Sequence, residues 1–463
     1  MNEARPVAGS YRDPSGRVFV LDDRVLRTVA PRAAADFEFV RSTGVLHSLI
    51  AEGSLVAEEP VAPSELPRGF NDARYVLQHP KLPFISHPYE WCFTALKRAA
   101  LLHLDIQIRC LQQNVTLSDA SAYNIQFFGP KPIFIDSLSF RRYHEGEFWI
   151  GHKQFCEQFL NPLLIRALLG VPHNAWYRGC LEGIPTTDLN RILPLRHKLS
   201  WNVLTNVVMQ ASFQRTATGG HHANIPAGAR FPRTAMQRML ERLRKWISAL
   251  LPADRGKTVW SDYAHQTSYA AEETDRKRAL VAEFAASVRP RMIWDIGCNT
   301  GDYAKAALEA GAGYAVGFDF DQGALDAAFA RAESEGLSFL PLFLDLANPT
   351  PSQGWGERER RGLTDRASAD AILALALVHH LAIGRNIPLE EVVGWLVGLA
   401  PHGVIEFVPK SDPMVQHLLR LREDIFDDYT EQAFIGHLQS QARVVRDVTV
   451  SQTDRKLFWF SRE

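Results

Sequence analysis

The segment 292–321 constrains the fold of this chain more than any other part of it. It reads MIWDIGCNTGDYAKAALEAGAGYAVGFDFD. The pattern predicts an apolar strand, a loop of small residues, an alanine-rich helix and a second apolar strand over 314–318. An acidic residue, Asp319, follows that second strand, eighteen positions after Gly301. This spacing is typical of the first βαβ unit of a doubly wound α/β fold that binds a nucleotide-like ligand.

The loop of this unit reads Asp-x-Gly-x-Asn-x-Gly, from Asp295 to Gly301. Small residues let the backbone approach a ligand at the N-terminus of the following helix. A dinucleotide-binding loop has glycine where Asn299 stands, because a side chain there crowds a pyrophosphate. S-adenosylmethionine carries no pyrophosphate, and we therefore expect it as the cofactor. Gly297, Asn299 and Gly301 are expected to hold its amino-acid end, and Asp319 to accept hydrogen bonds from the ribose hydroxyls.

The stretch resembles the first motif of class I S-adenosylmethionine-dependent methyltransferases, and the elements after it follow in the order of that family. The resemblance implies an α/β domain with a Rossmann-like sheet, whose tail at 444–461 forms an antiparallel edge pair. It also implies that Asp345, after a strand at 337–344, reads the adenine amino group. Asp295 would orient the loop or the ammonium of the ligand. Ligands of such sheets bind beyond the carboxyl ends of the strands.

Three residues near the ends of later strands are candidates for catalysis. His379 and His380 directly follow an apolar run at 369–378. Imidazole titrates near neutral pH, so either residue is a candidate base, and the alternative is that one of them only caps the strand or packs. Glu406 lies within an apolar strand and needs a partner if it is buried. It is expected either to face the substrate or to pair with an arginine such as Arg366.

Two tyrosines precede the methyltransferase-like core, in the sequence VWSDYAHQTSYAAEE. Tyr263 and Tyr269 stand where related enzymes carry a lid over the cofactor, which implies packing on the sulfonium or the adenine. Packing between domains is the alternative. The five cysteines are scattered and include no CxxC pair, so no metal site is expected in this domain.

A second set of polar residues lies in the N-terminal half. Asp119 and Asn124 have the spacing D-x4-N, and an apolar strand then ends at Asp136. The set resembles the catalytic loop and metal-binding aspartate of the protein-kinase-like fold, which implies ATP and magnesium as ligands. The His-Arg pair and the Phe-Gly of that family are missing, and Arg27 is a poor substitute for its lysine. An active kinase, a degenerate kinase-like domain and a chance resemblance therefore remain as alternatives.

The composition is that of an ordinary globular protein, with 463 residues, 46% apolar and 22% charged. A net charge of −1 gives no reason to expect nucleic-acid binding. No run of 18 apolar residues and no hydrophobic signal core occurs in the sequence. We therefore expect a cytoplasmic protein without a transmembrane segment.

We expect three parts along the chain. Residues 1–210 form an α+β domain, for which a degenerate kinase-like fold is one alternative, 211–254 form a linker and a basic amphipathic helix, and 255–463 form the methyltransferase domain. The helix at 233–251 carries one apolar stripe with basic residues beside it. It is expected to touch a membrane surface peripherally or a partner, or else to pack on its own protein.

Nearly the whole chain resembles a family of bacterial class I methyltransferases related to a rhizobial nodulation host-specificity protein. The resemblance rests on HPYEWCFTALKRAALLHLD, LSDASAYNIQF, WDIGCNTGDYAKAAL, ALALVHHLAIGRNIPLEEV and IEFVPKSDPM. It implies methyl transfer to an oxygen or nitrogen of a small-molecule or glycan-like acceptor. The alternatives are phosphotransfer from ATP by the N-terminal domain, and a non-catalytic protein that only binds S-adenosylmethionine.

Overall fold

The computed structural model describes residues 5–21, 24–62, 64, 66, 70, 72–218, 230–254, 268–420 and 422–463. The chain divides into two compact units. The first contains Met1–Phe127, Pro132–Arg255 and Gln353–Arg360, and the second contains Phe128–Lys131, Gly256–Ser352 and Arg361–Glu463. The described part of 211–254, which the sequence assigned to a linker and a helix, therefore belongs to the first unit.

The first unit contains an antiparallel sheet of five strands in the order β1-β2-β3-β5-β4. Its strands are β1 (Arg5–Pro6), β2 (Val18–Leu21), β3 (Arg24–Val29), β4 (Glu59–Pro60) and β5 (Tyr75–His79). Helices α1 (Ala34–Ser42) and α2 (Val45–Ala51) lie between β3 and β4 in sequence. Both faces of this sheet carry buried residues, because successive side chains of a strand point to opposite faces. Leu26 packs with Val76 in one cluster, and Val29 packs with Leu77 in another.

A long buried helix, α3 (Phe93–Gln112), follows the sheet. Two short antiparallel pairs come next, β6 (Val115–Leu117) with β9 (Phe140–Arg142) and β7 (Ile125–Phe128) with β8 (Lys131–Phe134). The remaining helices are α4 (His152–Phe155), α5 (Asn161–Leu169), α6 (Asn174–Gly179), α7 (Thr186–Ile192), α8 (Leu195–Lys198), α9 (Trp201–Val203), α10 (Met209–Thr218) and α11 (Arg233–Ala249). The kinase-like expectation for this unit stays a prediction.

Helix α11 is the basic amphipathic helix of the sequence, and its apolar stripe is covered. Met236, Leu240, Leu243 and Ile247 are buried, and the helix packs against α3. Lys97 of α3 also donates a hydrogen bond to the carbonyl oxygen of Leu250 at 2.9 Å. The stripe therefore stabilises its own unit, and the expected contact of 233–251 with a membrane is wrong for this face of the helix.

The second unit contains a seven-stranded sheet in the order β12-β11-β10-β13-β14-β16-β15. Its strands are β10 (Met292–Ile296), β11 (Tyr314–Asp319), β12 (Phe339–Phe343), β13 (Ala371–Ala374), β14 (His402–Phe407), β15 (Arg443–Thr449) and β16 (Lys456–Ser461). All neighbours are parallel except β14 with β16 and β15 with β16. This order with an antiparallel strand next to the edge is that of class I methyltransferases, so the fold predicted for this domain is confirmed, including the edge pair.

Helices cover this sheet, as a parallel sheet requires. They are α12 (Ser268–Val288), α13 (Asp302–Glu309), α14 (Gln322–Glu335), α15 (Val378–Ala382), α16 (Leu389–Leu399), α17 (Pro413–Leu419) and α18 (Glu431–Gln439). One predicted boundary is wrong. The apolar run at 369–378 is a strand only as far as Ala374, because Ala376 has a left-handed φ of 51° and the chain then begins α15. Among the described residues, no helix is long and apolar enough to cross a membrane.

Candidate functional site

The loop between β10 and α13 adopts the turn that its small residues predict. Gly297, Asn299 and Gly301 have φ angles of 85°, 48° and 80°, in the left-handed region. The carbonyl oxygen of Phe318 in β11 accepts hydrogen bonds from the N–H groups of Gly297 and Cys298 at 2.8 and 3.0 Å. A Cβ atom at Gly301 would lie 2.4 Å from the ring of Phe339, so only glycine fits there. The loop is thus held against the carboxyl end of β11.

Asp319 lies directly beside this loop, at the end of β11. Its carboxylate accepts hydrogen bonds from the N–H of Asn299 at 2.8 Å and from the N–H of Asp321 at 2.9 Å, one on each oxygen. The carboxylate keeps a lone pair for a further donor. Burial raises the pKa of Asp319, and the backbone N–H groups of Asp321, Asn299 and Phe320 offset part of that effect. This acceptor fits the ribose of S-adenosylmethionine, whose hydroxyls donate hydrogen bonds.

Asp321 is a residue of this region that the sequence reasoning missed. It is buried, and its side chain accepts hydrogen bonds from the N–H groups of Gly323 and Ala324 at 2.8 and 3.1 Å. It therefore caps the N-terminus of α14 and fixes the turn that follows Asp319. An aspartate directly before a helical pattern is a capping signal, and this signal could have identified it.

Asp295 lies near the end of β10 and Asp345 follows β12, and the two residues differ in burial. Asp295 is buried, and it accepts a hydrogen bond from the N–H of Ala304 in the first turn of α13 at 3.1 Å. Burial raises the pKa of Asp295 to about 7. This contact supports the expectation that it orients the loop. Asp345 follows β12, accepts a hydrogen bond from the N–H of Ala347 at 3.1 Å and lies 3.9 Å from Arg385.

The two candidate bases lie in α15, with ring centroids 4.1 Å apart. Burial, then the neighbouring His380 and Arg455, lower the pKa of His379 well below its usual value. Burial and Arg455 lower the pKa of His380 to about 4. Neither ring nitrogen of the buried His379 has a hydrogen-bond partner among the described residues. Both imidazoles are therefore neutral near pH 7 and can accept a proton, although they are weak bases.

Glu406 lies in the interior of the unit and is paired there with two cations. It is completely buried on β14, and it accepts a hydrogen bond from the N–H of Ala376 at 2.8 Å. Its other oxygen lies 2.8 Å from Nζ of Lys277 and 3.8 Å from a guanidinium nitrogen of Arg455. The expected pairing with a cation is found, but the partners are Lys277 and Arg455. Arg366 instead donates a hydrogen bond to the carbonyl oxygen of Gly362.

These charges form a buried network that the sequence did not indicate. Lys277 lies on α12 and also contacts Glu273 at 2.6 Å. Arg455 precedes β16 and binds Asp412 through two nitrogens, at 2.7 and 2.9 Å. The positive ends of this network lie close enough to α15 to lower the pKa of His379. The network thus holds the loop after β13 through the hydrogen bond from Ala376 to Glu406, and its cations add to the effect of burial on the pKa values of the two imidazoles.

The two tyrosines proposed for a lid cannot be placed at the site. Tyr263 lies outside the described residues, and Tyr269 lies in the first turn of α12 with its side chain outside them. Their contact with the cofactor stays a prediction.

The polar residues of the kinase-like motif meet within the first unit. The side-chain amide of Asn124 donates hydrogen bonds to Asp119 and to Ser139, both at 3.1 Å. The hydroxyl of Ser139 donates to Asp136 at 2.8 Å. A guanidinium nitrogen of Arg27, on β3, lies 2.7 Å from Asp136. Burial raises the pKa of Asp119 to about 6, and the charge of Asp136 adds to this effect.

The same contacts argue against the magnesium site expected from the motif. Arg27 also pairs with Asp13, so one internal cation neutralises two of the carboxylates. No group of three His, Cys, Asp or Glu residues in the described ranges has the arrangement needed for a metal ion. The cluster therefore forms, but a guanidinium neutralises its Asp136.

Comparisons with known proteins give one relative along nearly the whole chain. The nodulation protein NoeA of Rhizobium meliloti (strain 1021) is 49% identical over 459 residues, which cover 98% of this chain and 96% of that protein. The ribosomal protein L11 methyltransferase of Dechloromonas aromatica (strain RCB) is 33% identical over 101 residues, 22% of this chain and 32% of that protein. No family model matches the chain.

Two solved structures each align with about half of the chain or less. WbdD aligns with a TM-score of 0.30 and 18% identity over 48% of this chain, which spans 47% of that one. The N-methyltransferase NodS from Bradyrhizobium japonicum WM9 aligns with a TM-score of 0.31 and 13% identity, over 41% of this chain and 96% of that one. Alignments with TM-scores this low carry no weight for function.

Proposed function

This chain belongs to the family of the nodulation protein NoeA, and we propose that it transfers a methyl group from S-adenosylmethionine to an oxygen or nitrogen of a small-molecule or glycan-like acceptor. One observation carries the proposal. The Asp319 carboxylate and the left-handed loop at 297–301 lie side by side at the carboxyl edge of a class I methyltransferase sheet. Binding at that edge is the general rule for open α/β sheets.

Different residues of this site bind different parts of the cofactor. Asp319 accepts hydrogen bonds from the ribose, the loop at 297–301 holds the amino-acid end, and Asp345 reads the adenine amino group. Asp295 holds the loop by its hydrogen bond to Ala304. The sulfonium of the cofactor supplies an activated methyl group, so the protein mainly has to position the acceptor in line with it.

The acceptor must also lose a proton during methyl transfer. The new bond from the methyl carbon to oxygen or nitrogen forms as the carbon–sulfur bond breaks, and the proton leaves the acceptor. Neutral His379 or His380 accepts a hydrogen bond from the acceptor and takes that proton, or passes it to water. Arg455 opposes a positive charge on these rings, which favours a neutral, hydroxyl- or amine-bearing acceptor over a cationic one.

Calorimetric titration with S-adenosylmethionine tests the cofactor assignment. Micromolar binding by the wild type corresponds to about −8 kcal/mol, and we expect Asp319→Ala to weaken it at least about tenfold. Asp447→Ala, at an exposed position on β15, is the matched control and should bind like the wild type. Absence of binding to the wild type, or equal losses in both variants, would contradict the proposal.

Methyl transfer from labelled cofactor to a panel of amino sugars and hydroxylated glycans then tests catalysis. Transfer that falls in His379→Ala or His380→Ala supports the assigned base. Binding without transfer to any acceptor, and indifference to both substitutions, would instead favour a protein that only binds the cofactor.

Phosphotransfer by the first unit remains a second candidate because Asp119, Asn124 and Asp136 are brought together. Arg27 neutralises Asp136, so we expect no magnesium-dependent binding of ATP. Magnesium-dependent binding that Asp136→Ala abolishes would favour this candidate.

A further inference from the structure

Four large apolar side chains project into solvent within ten residues of the first unit. Ile192, Leu195, Leu199 and Trp201 are 47%, 78%, 83% and 63% exposed. We call these four residues the 192–201 surface. Single exposed apolar residues are common on proteins, but a cluster of this density marks a surface that contacts something else.

The local backbone keeps these side chains outside. Pro194 precedes the single turn of α8, and Leu195 and Leu199 are four residues apart in helical conformation, so they lie on the same side. Leu193 before this turn and Val203 after it are buried. The segment is thus anchored at both ends, and its exposed leucines cannot turn inward without pulling out the buried ones.

The surface is also locally basic. Arg191, Arg196 and Lys198 alternate with its apolar residues, and the sequence contains no acidic residue between Asp188 and Glu241. Arg191 pairs with Asp188 at 3.1 Å. Neither Arg196 nor Lys198 has an ion pair within the described ranges. This positive charge is local, since the whole chain has a net charge of −1.

We propose that the 192–201 surface binds an anionic membrane surface peripherally, independently of methyl transfer. Leucines enter the boundary between headgroups and acyl chains, tryptophan prefers that boundary, and lysine and arginine reach the phosphates. A second copy of this chain fits less well, because a symmetric contact would bring like charges together. This site differs from the one that the sequence indicated at 233–251, whose apolar stripe is buried.

Sedimentation of the full-length protein with vesicles tests the proposal. One set of vesicles is pure phosphatidylcholine, and in the other about a third of the lipid is phosphatidylglycerol. We expect sedimentation with the anionic vesicles only, and a decrease as salt is added. Replacing Leu195, Leu199 and Trp201 together by serine should lower the partition coefficient about tenfold or more, and so should Arg196→Glu with Lys198→Glu.

Two controls match these variants. Trp355→Ser removes another exposed tryptophan, which is 72% exposed, and Arg238→Glu with Arg242→Glu reverses two exposed charges on α11. Both should bind vesicles like the wild type. Far-ultraviolet circular dichroism should be unchanged in all variants, because the altered side chains are outside the core.

Four results would overturn the proposal: no sedimentation of the wild type, equal sedimentation with both kinds of vesicle, unchanged binding by the serine variant, or equal losses in the controls. Concentration-dependent self-association that the serine variant abolishes, without vesicle binding, would assign the surface to a second copy.

Discussion

Removal of the Lys277 charge should destabilise the second unit. Glu406 is completely buried, and Nζ of Lys277 lies 2.8 Å from one of its oxygens. After Lys277→Met the nearest cation is Arg455, at 3.8 Å, and its guanidinium is already bound to Asp412 through two nitrogens. Breaking a buried ion pair by removing one partner costs about 3–5 kcal/mol. Since Arg455 compensates in part, we expect a loss of about 3 kcal/mol in the free energy of unfolding.

The measurement is hydrogen exchange of the β10, β13 and β14 amides, which reports the opening free energy of this sheet separately from the first unit. Lys305→Met is the matched control, because Lys305 pairs with Glu335 at the surface, at 2.5 Å, and such pairs contribute about 0–1 kcal/mol. The double variant Lys277→Met with Glu406→Gln removes both charges, and should lose about 2 kcal/mol less than the sum of the single variants.

The reasoning is refuted if Lys277→Met costs no more than Lys305→Met. It is equally refuted if the losses of the two single variants simply add in the double variant, because additive losses would show that the two charges do not interact.

Three further predictions concern a glycine and two histidines. Gly301→Ala should lose more stability and cofactor affinity than Gly336→Ala in melting and titration experiments. Both glycines have a positive φ, which costs an alanine about 1–2 kcal/mol. Only at Gly301 would the added Cβ also collide with a ring, that of Phe339. Burial lowers the pKa of His103 to about 3, whereas the same imidazole has a pKa of about 6.5 in the unfolded chain. As the pH falls below about 6.5, the unfolded chain therefore binds a proton before the folded protein does, and stability is lost between these two pKa values. At about pH 5 the loss is (6.5 − 5) × 1.36, or about 2 kcal/mol, and denaturation curves of His103→Leu should show a pH dependence smaller by that amount. Because the pKa of His380 is about 4, protonation of this ring should not lower the rate of methyl transfer between about pH 8 and 5. A rate that halves near about pH 6.5 would exclude His380 as the neutral base.

Features that depend on neighbouring residues could be predicted from the sequence. The βαβ unit, the left-handed loop at 297–301 and the position of Asp319 all follow from local spacing, because strand, turn and helix preferences act over a few residues. The order of the later strands followed from the family resemblance. The grouping of Asp119, Asn124 and Asp136 followed from the resemblance of their spacing to the kinase-like motif.

The charged partners and the burial of each face were decided by tertiary structure. Glu406 was expected to need a partner, but Lys277 and Arg455 lie on other elements far away in sequence, and no local pattern links them to it. The covering of the apolar stripe of α11 was likewise decided by tertiary structure. The sequence pattern of this stripe fits a membrane as well as a protein core, and the packing of α3 against it decides between the two. An apolar face specifies only that it must be covered, and a buried charge only that it must be neutralised. Which group does so depends on how distant elements pack, since burial and Coulomb interactions act through space and not along the chain.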